Sequence, residues 1–513
     1  MKLTRRDLLW MPLAAPLATL AQRSAVPKSS RKLNMLLIAV DDLNNRIGCY
    51  GDPIVKTPNL DRLNRHAVRF DRSYCNYPLC NPTRTSLLSG RRPEVTQVFD
   101  NNTPPRAHLG NVVFMPEYFK AQGYFTARVG KIAHGSYEHQ LRWDISESRA
   151  GVQIQQDGDP AGPTGGLANR RGFGDERTDE DDMFEPGRQG RKQAKAQAKA
   201  GAAKAAAAGG GIKLSWTPTN GGDADEPDGA TARRIVQLIR ENKDKQFFIG
   251  CGFHKPHLPW VAPRKYFDMY SVDQIKLPST PLDDRDDIPP IALTFTQGDQ
   301  EMTDEQRRMA ILAYHAATSF MDAQLGLVLD TMDEYKLWDN TVVLLFGDHG
   351  WHLYDHLQLW RKMTVFEQAA RAPLMVWAPG CKQNVACPRL VEFVDIHPTL
   401  TELCGLPAAP GMEGTSFAPL LKDPNRPWKK AAYTMVARGK ERFGRSVRTD
   451  HWRYTEWEDG KSGVEFYDHD KDPNEWTNVA WPQRERTPRQ TADIEEMKRL
   501  LHADKKLNVP PKA

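Results

Sequence analysis

The run Asn34-Met35-Leu36-Leu37-Ile38-Ala39-Val40 constrains this chain more than any other feature, because after its first residue it never alternates between apolar and polar. A strand with one wet face alternates. One buried on both faces does not, and such strands belong to parallel sheets covered by helices on either side. Comparable runs recur at residues 246–251, 341–346 and 373–377, with a weaker one at 126–130. Residues 230–242 and 309–335 lie between them with apolar residues at helical spacing, and the second stretch is long enough to cross a sheet. The expected fold class is therefore α/β: a large, mostly parallel sheet sandwiched by helices, with a smaller C-terminal α+β subdomain where strands shorten and Trp and Pro become common.

Composition removes several function classes. The 513 residues hold 70 Lys and Arg against 65 Asp and Glu, and a formal charge of +5 over that length is too dilute to argue for nucleic acid. Mean hydropathy is −0.61, and beyond the N-terminus no run reaches the ~18 apolar residues of a spanning helix, which excludes a multi-span membrane protein. Seven cysteines are odd in number, contain no Cys-x-x-Cys pair and are too sparse for a disulfide scaffold.

The N-terminus reads as an address. Thr4-Arg5-Arg6-Asp7-Leu8-Leu9 opens an apolar run to Leu20, and Ala18-Thr19-Leu20-Ala21 supplies small residues for cleavage, the pattern of a twin-arginine export signal. An ordinary basic signal or a single anchor is the alternative, and each places the body outside the cytoplasm, periplasmic or secreted. The expected organisation is an export signal and linker at 1–32, a catalytic α/β domain at 33–385 and the smaller subdomain at 386–513. Within 148–222, rich in Gly, Asp, Arg and Pro, a Lys/Ala low-complexity insertion near 186–212 has no apolar face to bury. It reads as a solvated insertion, with an electrostatic arm for an anionic polymer as the alternative. The Pro- and Asp-rich loop 277–290 is expected to wall a substrate cleft, together with residues 99–108, 260–270 and 352–360.

Chemistry collects behind the strong strands. The first ends in Asp41-Asp42, the run at 341–346 in Gly347-Asp348-His349-Gly350, and the run at 246–251 leads into His254-Lys255-Pro256-His257. Parallel sheets bind ligands outside the carboxyl ends of their strands, so these polar residues can converge. Asp41-Asp42 alone needs no more than helix capping to explain it. With Asp348 and His349 it becomes a hard, oxygen-rich cation site suited to calcium, or less well magnesium, rather than zinc. Cys80 opens CNPTRTSLLSGRRP, where Pro82 at the first helical position and a closing Gly90 put Cys80 at a helix N-terminus that favours an anion. A buried or low-pKa thiol is the other reading.

That stretch resembles the activation motif of the type I sulfatases, Cys-x-Pro-Ser/Thr-Arg followed by Leu-x-Ser/Thr-Gly, with Thr83 where Ser is commoner. NMLLIAVDDL, GCYGDPIVKTPNLDRL, VGKIAH, GFHKPHLPW, LLFGDHGWHLYDH and FYDHDKDPNEWTNVA resemble sulfatase segments in the same order. Asp348-His349, Lys131-x-x-His134 and 254–257 are most similar to the iduronate 2-sulfatase branch. The 150–222 region has no counterpart.

The resemblance implies an alkaline-phosphatase-like sulfatase fold. It also implies a Cys80 converted by a maturation enzyme to formylglycine (3-oxoalanine), whose hydrate attacks sulfur. One calcium would be held by Asp41, Asp42, Asp348, His349 and the residue-80 oxygen. Arg84 would hold the hydrate, and Lys131 with His134 would stabilise it and take a proton. His257 and Lys362 would bind sulfate and protonate the leaving oxygen; His254 is either a second contact or a structural imidazole, and Arg361 is the alternative to Lys362. The expected activity is sulfate removal from a sulfated carbohydrate, with a 2-O-sulfated uronate of a glycosaminoglycan-like glycan as the candidate unit. The competing readings are a phosphomonoester or phosphonate hydrolase and a non-catalytic glycan-binding pseudo-sulfatase. The signature at 466–475 needs only a turn and a cap, and with Cys80 consumed no pairing of the other six cysteines is forced.

Overall fold

The computed structural model describes residues 32–153, 214–295, 297–439 and 441–511. The proposed export signal and the Lys/Ala-rich insertion lie outside the described residues. The apolar runs become strands of one nine-stranded sheet. In chain order these are β1 (Asn34–Val40), β2 (Val68–Tyr74), β3 (Phe125–Gly130), β4 (Ile145–Arg149), β5 (Val152–Gln153), β6 (Phe247–Phe253), β7 (Thr341–Gly347), β8 (Leu374–Trp377) and β9 (Val385–Glu392). Their order across the sheet is β9-β2-β8-β7-β1-β6-β3-β4-β5.

β1 lies between β6 and β7 and is parallel to both, with Val40 opposite Phe253 on one side and Gly347 on the other. This register explains the unbroken apolar runs: Met35, Leu37 and Ala39 pack into one core, while Leu36, Ile38 and Val40 pack into the core on the opposite face. β8 runs antiparallel to both β7 and β2, and β5 is antiparallel to β4, so the sheet is mixed at these positions.

Helices α1 (Pro58–His66), α2 (Cys80–Ser89), α3 (Pro227–Asn242), α4 (Asp304–Glu334), α5 (Ile396–Leu403) and α6 (Pro488–His502) are the longer ones. Leu60 and Leu63 of α1, Ile235 and Leu238 of α3, and Met321 and Leu325 of α4 cover one face of the sheet; Leu87 and Leu88 of α2 and Leu400 of α5 cover the other. At 31 residues α4 spans the sheet, and the side chain of Thr303 caps its first turn. Pro82 falls two residues inside α2 instead of at its first position, because Leu79 is the extended residue before the helix and Cys80 its first turn.

A four-stranded antiparallel sheet follows: β10 (Ala432–Arg438), β11 (Arg442–Arg448), β12 (Trp452–Trp457) and β13 (Gly463–Asp468). β9 straddles the 385/386 boundary drawn from the sequence and pairs with β2, so the separate sheet begins only at Ala432. Trp260, Tyr266 and Trp360, expected along cleft walls, are instead buried in one apolar cluster with Tyr314 and Phe320 of α4, where their large apolar area is worth more than at a surface. The 277–290 loop is tied down by its aspartates, Asp284 to His356 at 3.1 Å and Asp287 to Arg484 at 2.6 Å. Its Ile288 packs with Leu79 and Met363, next in sequence to Cys80 and Lys362.

Candidate active site

Strand register alone brings the polar strand ends together. Asp41 donates its backbone N–H to the Phe253 carbonyl at 3.1 Å, and Asp348 does the same to the Val40 carbonyl at 3.2 Å, so the ends of β1, β6 and β7 meet. Asp42 takes a left-handed backbone, φ 59°, and its N–H donates to Asp348 Oδ1 at 3.0 Å. Strained backbone of this kind collects at functional sites. The carboxylates of Asp41, Asp42 and Asp348 are all buried, and each offers an oxygen within 4.8 Å of the others.

Three converging carboxylates would repel one another without cations nearby. Arg84, one turn into α2, bridges two of them: Nε donates to Asp348 Oδ2 at 2.9 Å and Nη2 to Asp41 Oδ1 at 3.0 Å. Its Nη1 donates to the Lys131 and Ile132 carbonyls at 2.8 and 3.1 Å. Lys131 Nζ donates to Asp41 Oδ2. Burial opposes ionisation of Asp41, but the Lys131 and Arg84 cations bonded to it hold its carboxyl well below the usual range. Lys131 reaches this position because two glycines let the backbones of β3 and β6 close up. A Cβ on Gly130, which is at φ 83°, would lie 1.9 Å from the Gly252 carbonyl oxygen, and one on Gly252 would lie 2.3 Å from the Lys131 nitrogen.

Cys80 lies at the N-terminus of α2 with its Sγ 3.4 Å from His349 Nε2, 3.5 Å from Lys362 Nζ and 3.9 Å from Asp42 Oδ1. Lys362 Nζ also donates to Asp42 Oδ1 at 2.8 Å. Arg361 and Met363, its neighbours, are both left-handed, at φ 74° and 70°. Arg361 turns away to Asp299, Nε to Oδ2 at 2.9 Å, so of the two alternatives Lys362 is the residue at the site. Burial, then Asp41, pushes the Cys80 thiol well above its ordinary value, so the unmodified side chain is a protonated, weakly reactive thiol.

Three imidazoles, His134, His257 and His349, are tuned to be neutral. His349 Nδ1 is 3.0 Å from the Gly350 carbonyl and His257 Nδ1 is 2.6 Å from the Leu258 carbonyl; a carbonyl only accepts, so each Nδ1 carries the proton and each Nε2 a lone pair. Burial lowers His349 to about 4, and burial lowers His257 and, together with Lys131, His134 well below 6.5. His257 Nε2 lies 3.7 Å from Asp42 Oδ2, and His254 Nδ1 lies 3.7 Å from Asp41 Oδ2. His254 and His257 face each other with ring centroids 4.9 Å apart.

Asp42, His349 and Lys362 thus lie at Cys80, with Asp41, Asp348, Arg84, Lys131, His254 and His257 joined to that group through the carboxylates, and His134 is buried within electrostatic reach of Lys131 and Asp41. Three supporting residues were missed. Asp228 at the start of α3 accepts from the His254 and Lys255 backbone N–H groups at 2.8 Å each. The Tyr314 hydroxyl donates to the Asp42 carbonyl and accepts from Asn44 N–H, both at 2.8 Å. Glu138 accepts from the Ile132 and Ala133 N–H groups at 2.6 and 2.8 Å. In sequence Asp228 is an ordinary first-turn acid and Tyr314 a core aromatic; only Glu138, just after the Lys131-x-x-His134 spacing, lies close to a recognisable motif.

Buried carboxylates meeting at the carboxyl edge of a covered sheet, beside a helix N-terminus with lysines, arginine and neutral imidazoles, define a hydrolase of anionic esters. The chain belongs to the sulfatase family, whose model, described as Sulfatase, matches residues 33–406. A second, described as N-sulphoglucosamine sulphohydrolase, C-terminal, matches residues 347–503. Its likeness is to the iduronate 2-sulfatase branch of the type I sulfatases. The mouse (Mus musculus) iduronate 2-sulfatase is 30% identical, over 75% of this chain and 71% of that protein. A sulfatase of Formosa agariphila is 30% identical over 90% of this chain and 85% of its own length. Among solved structures, the phosphonate monoester hydrolase of Agrobacterium radiobacter superposes with a TM-score of 0.68 at 20% identity, over 93% of this chain and 97% of that one. At that identity it shows the shared fold alone.

Proposed function

We propose that this sulfate ester hydrolase removes sulfate from a sulfated carbohydrate, with a 2-O-sulfated uronate as the favoured unit, using a formylglycine made from Cys80 and a bound calcium ion. The observation that carries the reading is residue 80 at a buried helix N-terminus with Lys362, His349 and Asp42 all within 4 Å of its Sγ. Buried carboxylate oxygens from Asp41, Asp42 and Asp348 fit a hard cation, and His349, with Nδ1 committed to a backbone carbonyl, offers its Nε2 beside them. When bound, calcium would neutralise sulfate oxygens, and formylglycine would supply, as its hydrate, the attacking oxygen.

The chain's own groups do the rest. Lys362 Nζ, between Asp42 and residue 80, donates to the sulfate that must sit there; the N–H groups of Asn81 and Thr83 are spent on Asn101 and the Leu79 carbonyl, so α2 contributes through its dipole. Arg84, anchored on two carboxylates and two carbonyls, keeps its turn of α2 in register with the strand ends. His134, held neutral by burial and by Lys131, is ready to accept a proton. His257 rests with a lone pair on Nε2; an anionic ester bound beside it favours the imidazolium, which then donates to the leaving oxygen. His254, its ring tilted 41° to that of His257 with centroids 4.9 Å apart, is placed as a second contact. The twin-arginine pattern supports export, with maturation of Cys80 by a formylglycine-generating enzyme, and the four-stranded sheet from Ala432 onward is the core of the smaller subdomain, with β9 left in the main sheet.

Two measurements test this. Mass spectrometry of the residue-80 peptide from protein made in its native host should show the aldehyde in place of the thiol. Matched protein should hydrolyse 4-nitrophenyl sulfate in preference to 4-nitrophenyl phosphate, lose activity on the order of 100-fold after chelation and regain it with calcium. An unmodified thiol or a preference for phosphate refutes the reading.

A further inference from the structure

A second cavity, of about 420 Å³, opens beside the segments that follow Asp42 and His349. Asn44 and Trp351 line it, two residues beyond those site residues, yet none of the residues gathered around Cys80 does. Its walls carry four guanidiniums, Arg46, Arg72, Arg371 and Arg448, against two carboxylates, Asp355 and Glu367. Glu367 pairs with Arg453, accepts from the Tyr74 hydroxyl at 2.9 Å and lies 3.5 and 3.7 Å from Arg371 and Arg448, while Arg46 pairs with Asp355 at 2.8 Å and Arg72 with Asp450 at 2.9 Å. Four guanidiniums thus face three carboxylates, Asp355, Asp450 and Glu367, which leaves a local excess of positive charge around the cavity.

The donors are also under-used. Arg448 is buried, and its Nε makes no hydrogen bond, with Glu367 Oε2 3.7 Å away. Arg371 Nε and Trp351 Nε1 make none, and among acceptors neither does Gln368 Oε1. Those atoms are closed to solvent, so what the cavity offers an oxygen-bearing ligand is the guanidiniums of its four lining arginines, each with more donors than its one carboxylate partner takes up. Guanidinium forks match sulfate and carboxylate in bidentate geometry. The volume falls in the range of about 300–1,000 Å³ typical of small-ligand sites, larger than a bare ion needs.

We propose that this cavity binds an oxyanion, sulfate or carboxylate, carried on a sugar unit, and so anchors an anionic glycan at a second point. Its part in desulfation rests on the carbohydrate substrate proposed above; the binding itself does not.

Calorimetry on Cys80→Ala protein, titrated with a heparin-derived tetrasaccharide and separately with inorganic sulfate, tests it. Arg72→Gln combined with Arg371→Gln, and Arg46→Gln alone, remove charge from side chains only 23, 33 and 30% exposed. Each is expected to weaken tetrasaccharide binding, the pair by about tenfold, a loss of about 1.4 kcal/mol. In Cys80-containing protein the same substitutions should leave 4-nitrophenyl sulfate hydrolysis within about twofold, with unfolding midpoints confirming a folded chain. Unchanged tetrasaccharide affinity in both variants overturns the proposal. Loss of inorganic sulfate binding alone overturns the sugar assignment in favour of a free-ion site, and an equal fall in 4-nitrophenyl sulfate hydrolysis overturns the separateness of the cavity. Arginine-dependent tetrasaccharide binding by protein that desulfates nothing supports the cavity and refutes the function proposed above.

Discussion

Around Glu392 and around Asp41 the chain buries carboxylates beside lysine and arginine, but the two clusters are wired differently. Glu392 accepts from Arg92 Nη1 and Nη2 at 2.6 and 2.9 Å, Lys429 Nζ at 2.6 Å and Asn76 Nδ2 at 3.1 Å. Asp395 accepts from Lys429 at 2.6 Å and from the Glu392 and Thr415 N–H groups at 2.8 Å each. Two acids from one turn face two cations, and the backbone takes up the remaining lone pairs. Around Asp41 the acids come from two strand ends, converge to within 4.8 Å, and are joined by imidazoles that point lone pairs at the same place. Both clusters balance locally in charge. The first is closed and serves to hold β9 against β10; the second is arranged for a further cation and an anion. Imidazole lone pairs gathered beside the carboxylates, and not burial or ion pairing, are what separate the reaction site from the structural one.

The largest expected contrast is in activity. Cys80→Ser keeps size and polarity at residue 80 but removes the thiol that the proposed conversion requires; 4-nitrophenyl sulfate turnover should fall by roughly 10³-fold or more while the thermal midpoint stays put. Lys429→Met should do the reverse, leaving Glu392 and Asp395 buried without their shared cation. A loss of about 3–5 kcal/mol in chemical denaturation is expected, with turnover per folded molecule within about twofold. If Lys429→Met abolishes turnover in fully folded protein, the division between the clusters fails.

A smaller effect concerns a histidine outside both. Burial lowers His397, whose ring faces Tyr118, to about 3, against 6.5 when unfolded. A lowered folded pKa means the unfolded chain binds the extra proton first, so this stabilisation is complete above pH 6.5 and drains away as pH falls toward 3. His397→Gln should flatten the dependence of the unfolding midpoint on pH between 6.5 and 4; an unchanged slope would assign acid sensitivity to other groups.

Much of this was legible in the residues. The strands are apolar runs because both faces are covered, and α3 and α4 show in their spacing. Cys80 at a helix start follows from the residues between it and Gly90, although Pro82 proved to lie inside the helix. Lys362 and Arg361 could not be separated by counting, since the left-handed residues that swing one in and the other out leave no mark in composition. Aromatic residues expected at cleft walls went to the core around α4, where tertiary packing outweighed their usual role at binding surfaces.

The sequence by itself determined the chemistry available: which acids, imidazoles and cations end the strands, and that they follow the sulfatase pattern. Only the tertiary structure decided which of them meet. Asp41 and Asp348 are 307 positions apart and become neighbours through the parallel register of β1 and β7. The same holds for the arginine-lined cavity, whose Arg46, Arg72, Arg371 and Arg448 share no motif. The physical reason is that hydrophobic periodicity acts over a few residues, whereas charge placement depends on sheet order, and sheet order is settled by packing over the whole chain.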